Sequence, residues 1–180
     1  MPLFRRKGSR RADRQAGRYE VADIFWTMRN HVLEAERRPE DWASCAADGL
    51  WAALFEMGED NGVATVVMIS DGAVSLYTTA GGGFIGMGGH EGPRREAHEF
   101  LALATGFLGY AVPAQELPLP QPKHIRFHFV TVDGVLTAEA AQDELAAKDH
   151  PLFPLFFKAH RVITEMRLVD EAKRGAGAGT

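Results

Sequence analysis

The sequence is poor in the residues and motifs that mark familiar chemistry. Its 180 residues contain one cysteine, Cys45, which excludes an intrachain disulfide and a multi-cysteine metal site and fits a reducing compartment. No apolar run approaches the roughly 18 to 20 residues of a membrane span, and no apolar segment follows the basic start, so we expect a cytoplasmic location. His-Glu-x-x-His, Gly-x-Ser-x-Gly and Walker A motifs are absent, so the common metalloprotease, hydrolase and NTPase mechanisms lack their anchoring residues.

Composition and charge predict one globular domain with a basic arm. The chain is 46% hydrophobic and 24% charged, an ordinary globular balance. Residues 1–18 hold seven Arg or Lys against one Asp, a net charge of +6, whereas the remainder has 13 basic and 23 acidic residues, a net charge of -10. We therefore expect a flexible basic arm (residues 1–18), a single α+β domain (residues 19–170) and a flexible tail (residues 171–180).

The basic arm has two interpretations. Arginine-rich segments bind nucleic acid or an anionic surface by releasing counterions. However, no aromatic side chain lies between Arg5 and Arg18 to stack on a base, which favours a solvated leader.

Apolar side chains at three- and four-residue steps predict several helices. The first covers residues 20–35. A second, which contains Cys45 as a buried and inert thiol, is predicted over residues 39–58. A third runs over residues 93–109, a polar helical stretch over residues 139–148, and a final helix follows Pro151.

Two hairpins are predicted from strand patterns joined by Asp-Gly turns. Residues 63–69 are almost all apolar, which indicates a strand covered on both faces. After the turn at Asp71 and Gly72, apolar and polar residues alternate over residues 74–78, which indicates the second strand of a hairpin. Residues 124–132 alternate and return through a second turn to residues 135–138. The fold class is therefore α+β, with an antiparallel sheet of about four to five strands packed with helices and preceded by an extra N-terminal helix.

The glycine segment, residues 81–89, is the most unusual part of the chain. It contains Gly81-x-Gly83-x-x-Gly86, but a dinucleotide-binding turn opens its helix within the motif, and here the helix begins only near Pro93. Two interpretations remain: glycines that let a strand bend or bulge, or backbone amides that bind an anion or small ligand. The ligand-binding candidates are Gly81, Gly82, Gly83, Gly86, Gly88, Gly89 and His90.

The histidines do not form a metal-binding pattern. His90 and His98 flank the start of the third predicted helix, and His124 and His128 lie on one strand face about 13 Å apart by the rise per residue, too far to share an ion. We expect solvated or hydrogen-bonded histidines, and we assign no metal, no cofactor and no catalytic residue.

The order of these elements resembles the roadblock/dynein light chain fold and its longin and profilin-like relatives. The resemblance is carried by residues 63–69, the turn at Asp71 and Gly72, residues 74–77, the third helix and residues 125–134. It implies a module that usually lacks catalysis, dimerises through sheet or helix surfaces, and regulates small GTPases or assembles on larger complexes.

The sequence therefore leads to two main hypotheses about function. The first is a non-catalytic interaction or regulatory module, homodimeric, acting through protein-protein contacts with a partner such as a small GTPase. The alternative is a small-ligand or anion-binding protein, or an enzyme, that uses the glycine segment with His90. A nucleic-acid accessory role through the basic arm ranks third.

Overall fold

The computed structural model describes residues 19–34, 45 and 49–177, which form one antiparallel sheet packed with helices. The helices are α1 (Asp23–Leu33), α2 (Glu91–Thr105), α3 (Gln142–Ala146) and α4 (Phe153–Gly177). The strands are β1 (Leu50–Glu59), β2 (Gly62–Ile69), β3 (Val74–Thr78), β4 (Gly83–Phe84), β5 (Val112–Pro113), β6 (His124–Thr131) and β7 (Gly134–Ala141). Their order in the sheet is β4-β3-β2-β1-β6-β7-β5. The predicted α+β class is confirmed, and α1 is the extra N-terminal helix that was predicted before the sheet.

Both predicted hairpins are present. The turn between β2 and β3 is closed by the Asp71 carboxylate, which accepts a hydrogen bond of 2.8 Å from the Ala73 amide. β6 and β7 pair from Thr131 and Gly134 outward. Short-range turn chemistry was sufficient to locate both.

The predicted number of strands was too low, because the described part of the chain forms seven. β4 and β5 have two residues each, too few to show any periodicity. The third unpredicted strand is β1, which lies in the middle of the sheet between β2 and β6.

The second predicted helix, residues 39–58, is wrong over residues 50–58, which belong to β1. β1 is buried on both faces, so its apolar residues follow one another and imitate a helical stripe. Cys45 lies in neither a helix nor a strand and is partly exposed, while residues 39–44 and 46–48 lie outside the described part.

The chain after β6 differs from the prediction in two places. β7 extends to Ala141, which shortens the predicted polar helix over residues 139–148 to α3. The predicted tail begins inside α4, which continues to Gly177. The basic arm and residues 178–180 lie outside the described residues, and the flexibility of arm and tail stays a prediction.

The two faces of the sheet are covered differently. Helices α2 and α4 pack on one face over a large apolar core that includes Phe55, Phe127 and Phe129. The other face carries a smaller core beneath α1, to which Leu54, Val67 and Val130 contribute. Residues 114–123, here called the strap, connect β5 to β6 and place Leu119 in this smaller core.

Among the described residues, no helix has both the length and the apolar character needed to cross a membrane.

Candidate functional site

The exposed side of helix α1 borders a groove that the glycine segment completes. A cavity of about 160 Å³ lies between the helix and residues 81–83, with Tyr77 on its floor. Ile24 and Ile85 line it and are 53% and 61% exposed. Two large apolar side chains exposed around one depression form an apolar patch of the kind that marks a binding surface, so the groove is a candidate binding surface.

A second cavity of about 290 Å³ lies further along the same helix. It is bounded by Val32 of α1 and by Val67 and Ile69 of β2. Met28 and Tyr77 line both cavities. The Met28 side chain, which is unbranched and adaptable, therefore contributes to the walls of both apolar depressions.

The glycine segment is shaped by close backbone approach. A Cβ on Gly83 would stand 2.1 Å from the carbonyl oxygen of Leu76, and one on Gly88 would stand 2.1 Å from that of Gly72. No side chain fits at such distances, so these two glycines let the chain fold tightly against β3 and its turn.

Several amides of the segment already donate to acceptors within the protein. Those of Gly81 and Gly89 donate to Thr78 and Gly86 carbonyls, and that of His90 donates to the Met87 carbonyl at 3.0 Å. Of the candidate ligand-binding residues, Gly81, Gly82 and Gly83 line the smaller cavity, whereas Gly86, Gly88, Gly89 and His90 are not among its lining residues. The geometry favours a structural bend, and ligand binding by this segment stays a prediction.

A buried polar cluster lies beneath α1, next to the cavities. The Arg29 guanidinium donates from Nε to Glu56 Oε1 at 2.7 Å and from Nη2 to Glu56 Oε2 at 2.9 Å. Thr65 Oγ1 donates to the same Oε1 at 3.1 Å. Arg29 is 1% exposed and Glu56 is 0% exposed, so the forked ion pair is shielded from water.

The ion pair fixes both charges. Burial alone would raise the pKa of Glu56, but the Arg29 charge and the hydrogen bonds from His128 and Arg29 outweigh it and hold that pKa well below its usual range. Burial alone would lower the pKa of Arg29, and the Glu56 charge reverses this effect. Glu56 is therefore ionised and Arg29 protonated in the native state.

His128 joins the cluster from β6. Its Nε2 lies 3.2 Å from Glu56 Oε2 and 3.2 Å from Arg29 Nη2. Among the described residues no atom hydrogen-bonds its Nδ1. Burial lowers the pKa of His128, and the charges of Arg29 and Arg126 add to this effect against the opposing influence of Glu56. His128 is therefore neutral at physiological pH.

Tyr77 connects the cluster to the cavities. Its ring meets Phe25 of α1 edge to face at a centroid distance of 5.5 Å, and its buried hydroxyl has no hydrogen-bond partner among the described residues. Burial and the Glu56 charge raise the pKa of Tyr77. The phenol therefore stays protonated and neutral.

Sheet register explains how these side chains meet. Glu56 of β1 pairs with Thr65 of β2, which in turn pairs with Tyr77 of β3, so the three form one row on the face toward α1. Arg29 lies on the buried side of α1 between Phe25 and Val32, at steps of four and three residues. The helix thus points a cation at the one carboxylate in that row.

The cluster was missed at the level of sequence, although part of the signal was visible. Arg29 sits within the apolar stripe of the first helix, where a charged residue indicates a buried partner. Glu56 was hidden because its strand had been predicted as a helix. His128 was predicted on the same strand face as His124, but the helix above that face was not anticipated.

The chemical capacity of the site is limited by access. The three ionisable members Arg29, Glu56 and His128 are closed off from solvent and bonded to one another, so a substrate reaches them only if α1 moves. Within the described ranges, no group of three or more His, Cys, Asp or Glu side chains is arranged to hold a metal ion.

Comparison with known proteins gives no family for the chain: no family model, no curated protein and no solved structure matches it.

Proposed function

We propose that this protein is a non-catalytic interaction module that works through protein-protein contacts. The observation that carries the proposal is the groove beside α1, where Ile24 and Ile85 are more than half exposed. Of the polar groups nearest to it, Arg29 and Glu56 are buried and paired, and the Tyr77 hydroxyl is buried and protonated, so the surface offers apolar contact area rather than reactive groups.

The finer features of the proposal come from the resemblance noted above. A roadblock-like or profilin-like module implies a homodimer and a further protein partner such as a small GTPase. The cytoplasmic location is proposed from the sequence, which has no long apolar run. The antiparallel sheet with helices on both faces is compatible with that group, and the basic arm remains a candidate contact for nucleic acid or an anionic surface.

Self-association gives a direct test. Light scattering on the purified full chain at high micromolar concentration should show a dimer, and Ile24→Glu or Ile85→Glu should shift it to the monomer by placing a charge in the groove. Phe157→Glu is the matched control, because Phe157 is similarly exposed, at 57%, on α4. A monomeric wild type, or an Ile24→Glu protein that still dimerises, contradicts the proposal.

The alternative function is binding of a small ligand or anion. It is favoured by one feature, the exposed backbone of residues 81–83 along the smaller cavity. Thermal shift assays with phosphate, nucleotides and dinucleotides test it. Gly82→Ala is the informative variant, because Gly82 lines the cavity and its Cβ would meet only the Thr78 hydroxyl, at 4.0 Å.

Gly89→Ala is the control, since nothing lies within 4 Å of that added Cβ and Gly89 is not a lining residue. Saturable stabilisation that Gly82→Ala abolishes and Gly89→Ala retains supports a ligand site. No stabilisation by any of these compounds contradicts it.

A further inference from the structure

One guanidinium holds four elements of the fold together. Arg29 extends from α1 to Glu56 of β1, approaches His128 of β6, and donates from Nη1 to the Leu117 carbonyl of the strap at 3.0 Å. The strap is also held by Tyr19, whose hydroxyl donates to the Pro120 carbonyl at 3.1 Å, and by Arg126, which donates to the Pro118 carbonyl. Arg29 thus ties α1 and Leu117 of the strap to one buried cluster, while Tyr19 and Arg126 hold the rest of the strap.

That cluster has no place for a proton on His128. A protonated imidazole donates from both nitrogens, but Nδ1 has no acceptor among the described residues. The Nε2 atom faces one acceptor, Glu56 Oε2, and one competing donor, Arg29 Nη2, each at 3.2 Å. Protonation in the closed state would therefore leave a buried donor unpaired.

The surrounding charges reinforce this exclusion. Arg29 faces the ring from α1, Arg126 acts on it from its own strand, and Glu56 is the one anion that opposes them. The Thr65 hydroxyl of β2, which donates to Glu56, and the Tyr77 phenol of β3 are neutral, while Glu139 of β7 forms an ion pair with Arg126. A proton on His128 would give the buried cluster a net positive charge.

We propose that the Arg29, Glu56 and His128 cluster is an acid-sensitive latch, which holds helix α1 on the sheet at neutral pH and lets it open more often in mild acid. The proton enters only when α1 lifts and His128 becomes solvated, so acid favours the open state. Opening uncovers the apolar residues Leu54, Val67 and Val130. This opening is a property of the isolated protein and is distinct from the proposed interaction role, so it can be measured without any partner.

The size of the effect follows from the proton bound in the open state. A solvated histidine titrates at about 6.5, whereas burial and the lack of an acceptor for Nδ1 among the described residues disfavour the proton in the closed cluster. Between about pH 7.5 and about pH 5.5 the opening constant should therefore rise about tenfold. Glu56 adds little in this range, because a solvated glutamate takes up its proton near pH 4.3.

Amide hydrogen exchange of the full chain tests the latch. After correction for intrinsic exchange rates, protection of α1 amides should fall about tenfold from about pH 7.5 to about pH 5.5, while α2 amides keep theirs. In His128→Gln, which can still pair with Arg29 and Glu56 but cannot take up a proton, α1 protection should not change with pH. His31→Gln, which removes the exposed histidine of α1, should retain the tenfold fall.

Three outcomes would overturn the proposal: α1 protection that does not change with pH in the wild type, a pH dependence that survives in His128→Gln, or one that disappears in His31→Gln. A measurement on the unaltered protein covers the case of a His128→Gln chain that does not fold. The His128 ring resonances should not titrate down to about pH 5.5 while α1 remains closed. Titration of His128 near pH 6.5 in the closed state would also refute the latch.

Discussion

Replacing Arg29 by methionine removes the cation at the centre of the cluster while keeping helix propensity and an unbranched side chain. Glu56 would retain the Thr65 hydroxyl and His128 as hydrogen-bond partners but would remain a buried carboxylate without its counterion. Removing one partner of a buried ion pair costs about 3–5 kcal/mol, because the remaining charge stays desolvated. We expect Arg29→Met to destabilise the protein by that amount.

Urea denaturation near neutral pH, followed by circular dichroism, measures the loss. Arg174→Met is the control, because Arg174 forms an ion pair of 2.8 Å with Asp170 but its side chain is 76% exposed, so its removal should cost about 0–1 kcal/mol. The double variant Arg29→Met/Glu56→Leu buries neither charge and should recover about 2 kcal/mol or more of the loss.

Two results would refute this reasoning. In the first, Arg29→Met costs no more than Arg174→Met, so that the buried pair contributes no more than an exposed one. In the second, the loss of stability in the double variant equals the sum of the losses measured for Arg29→Met and Glu56→Leu alone, so that the two side chains act independently.

Three further predictions concern the glycine segment, acid stability and the basic arm. Gly83→Ala should lower the free energy of unfolding by about 1–3 kcal/mol, because the added Cβ would collide with the Leu76 carbonyl. Gly82→Ala should change it by less than about 0.5 kcal/mol, and chemical denaturation of the two variants measures the difference. Because the pKa of Glu56 is lowered in the folded protein, its carboxylate stabilises the fold above about pH 4.3, and this stabilisation is lost as the pH falls. The free energy of unfolding of Glu56→Gln, measured at decreasing pH, should therefore fall less than that of the wild type. Deleting residues 1–18 should leave the melting temperature within a few degrees, and an unfolded product would show that the arm is structural.

The parts of the fold that could be predicted from the sequence are those specified by nearby residues. The turns at Asp71 and Asp133 need only a few adjacent positions, and α2 needs only its own apolar stripe. β1 could not be predicted in this way. A strand buried on both faces loses the polar alternation that distinguishes it from a helix, and only its pairing with β2 and β6 identifies it.

The site depends even more on long-range pairing. Arg29 and Glu56 are 27 positions apart and Glu56 and His128 are 72 apart, so sheet register and the docking of α1 bring them together. The glycine segment drew attention at the sequence level because its composition is unusual. The cluster consists of single ordinary residues, and no local pattern connects them.

Helix α1 presents two kinds of side chain to the sheet, and they constrain it differently. Phe25 and Val32 pack on apolar residues, and such contacts alone tolerate small rotations because they are not directional. Arg29 adds a planar guanidinium that meets both oxygens of the Glu56 carboxylate in a defined orientation. The orientation of α1 in turn determines where Met28 meets the two cavities. The variant Arg29→Met/Glu56→Leu should therefore stay folded while α1 loses its fixed orientation. Amide exchange should then increase in α1 and not in α2, and unchanged protection of α1 would show that apolar packing alone orients the helix.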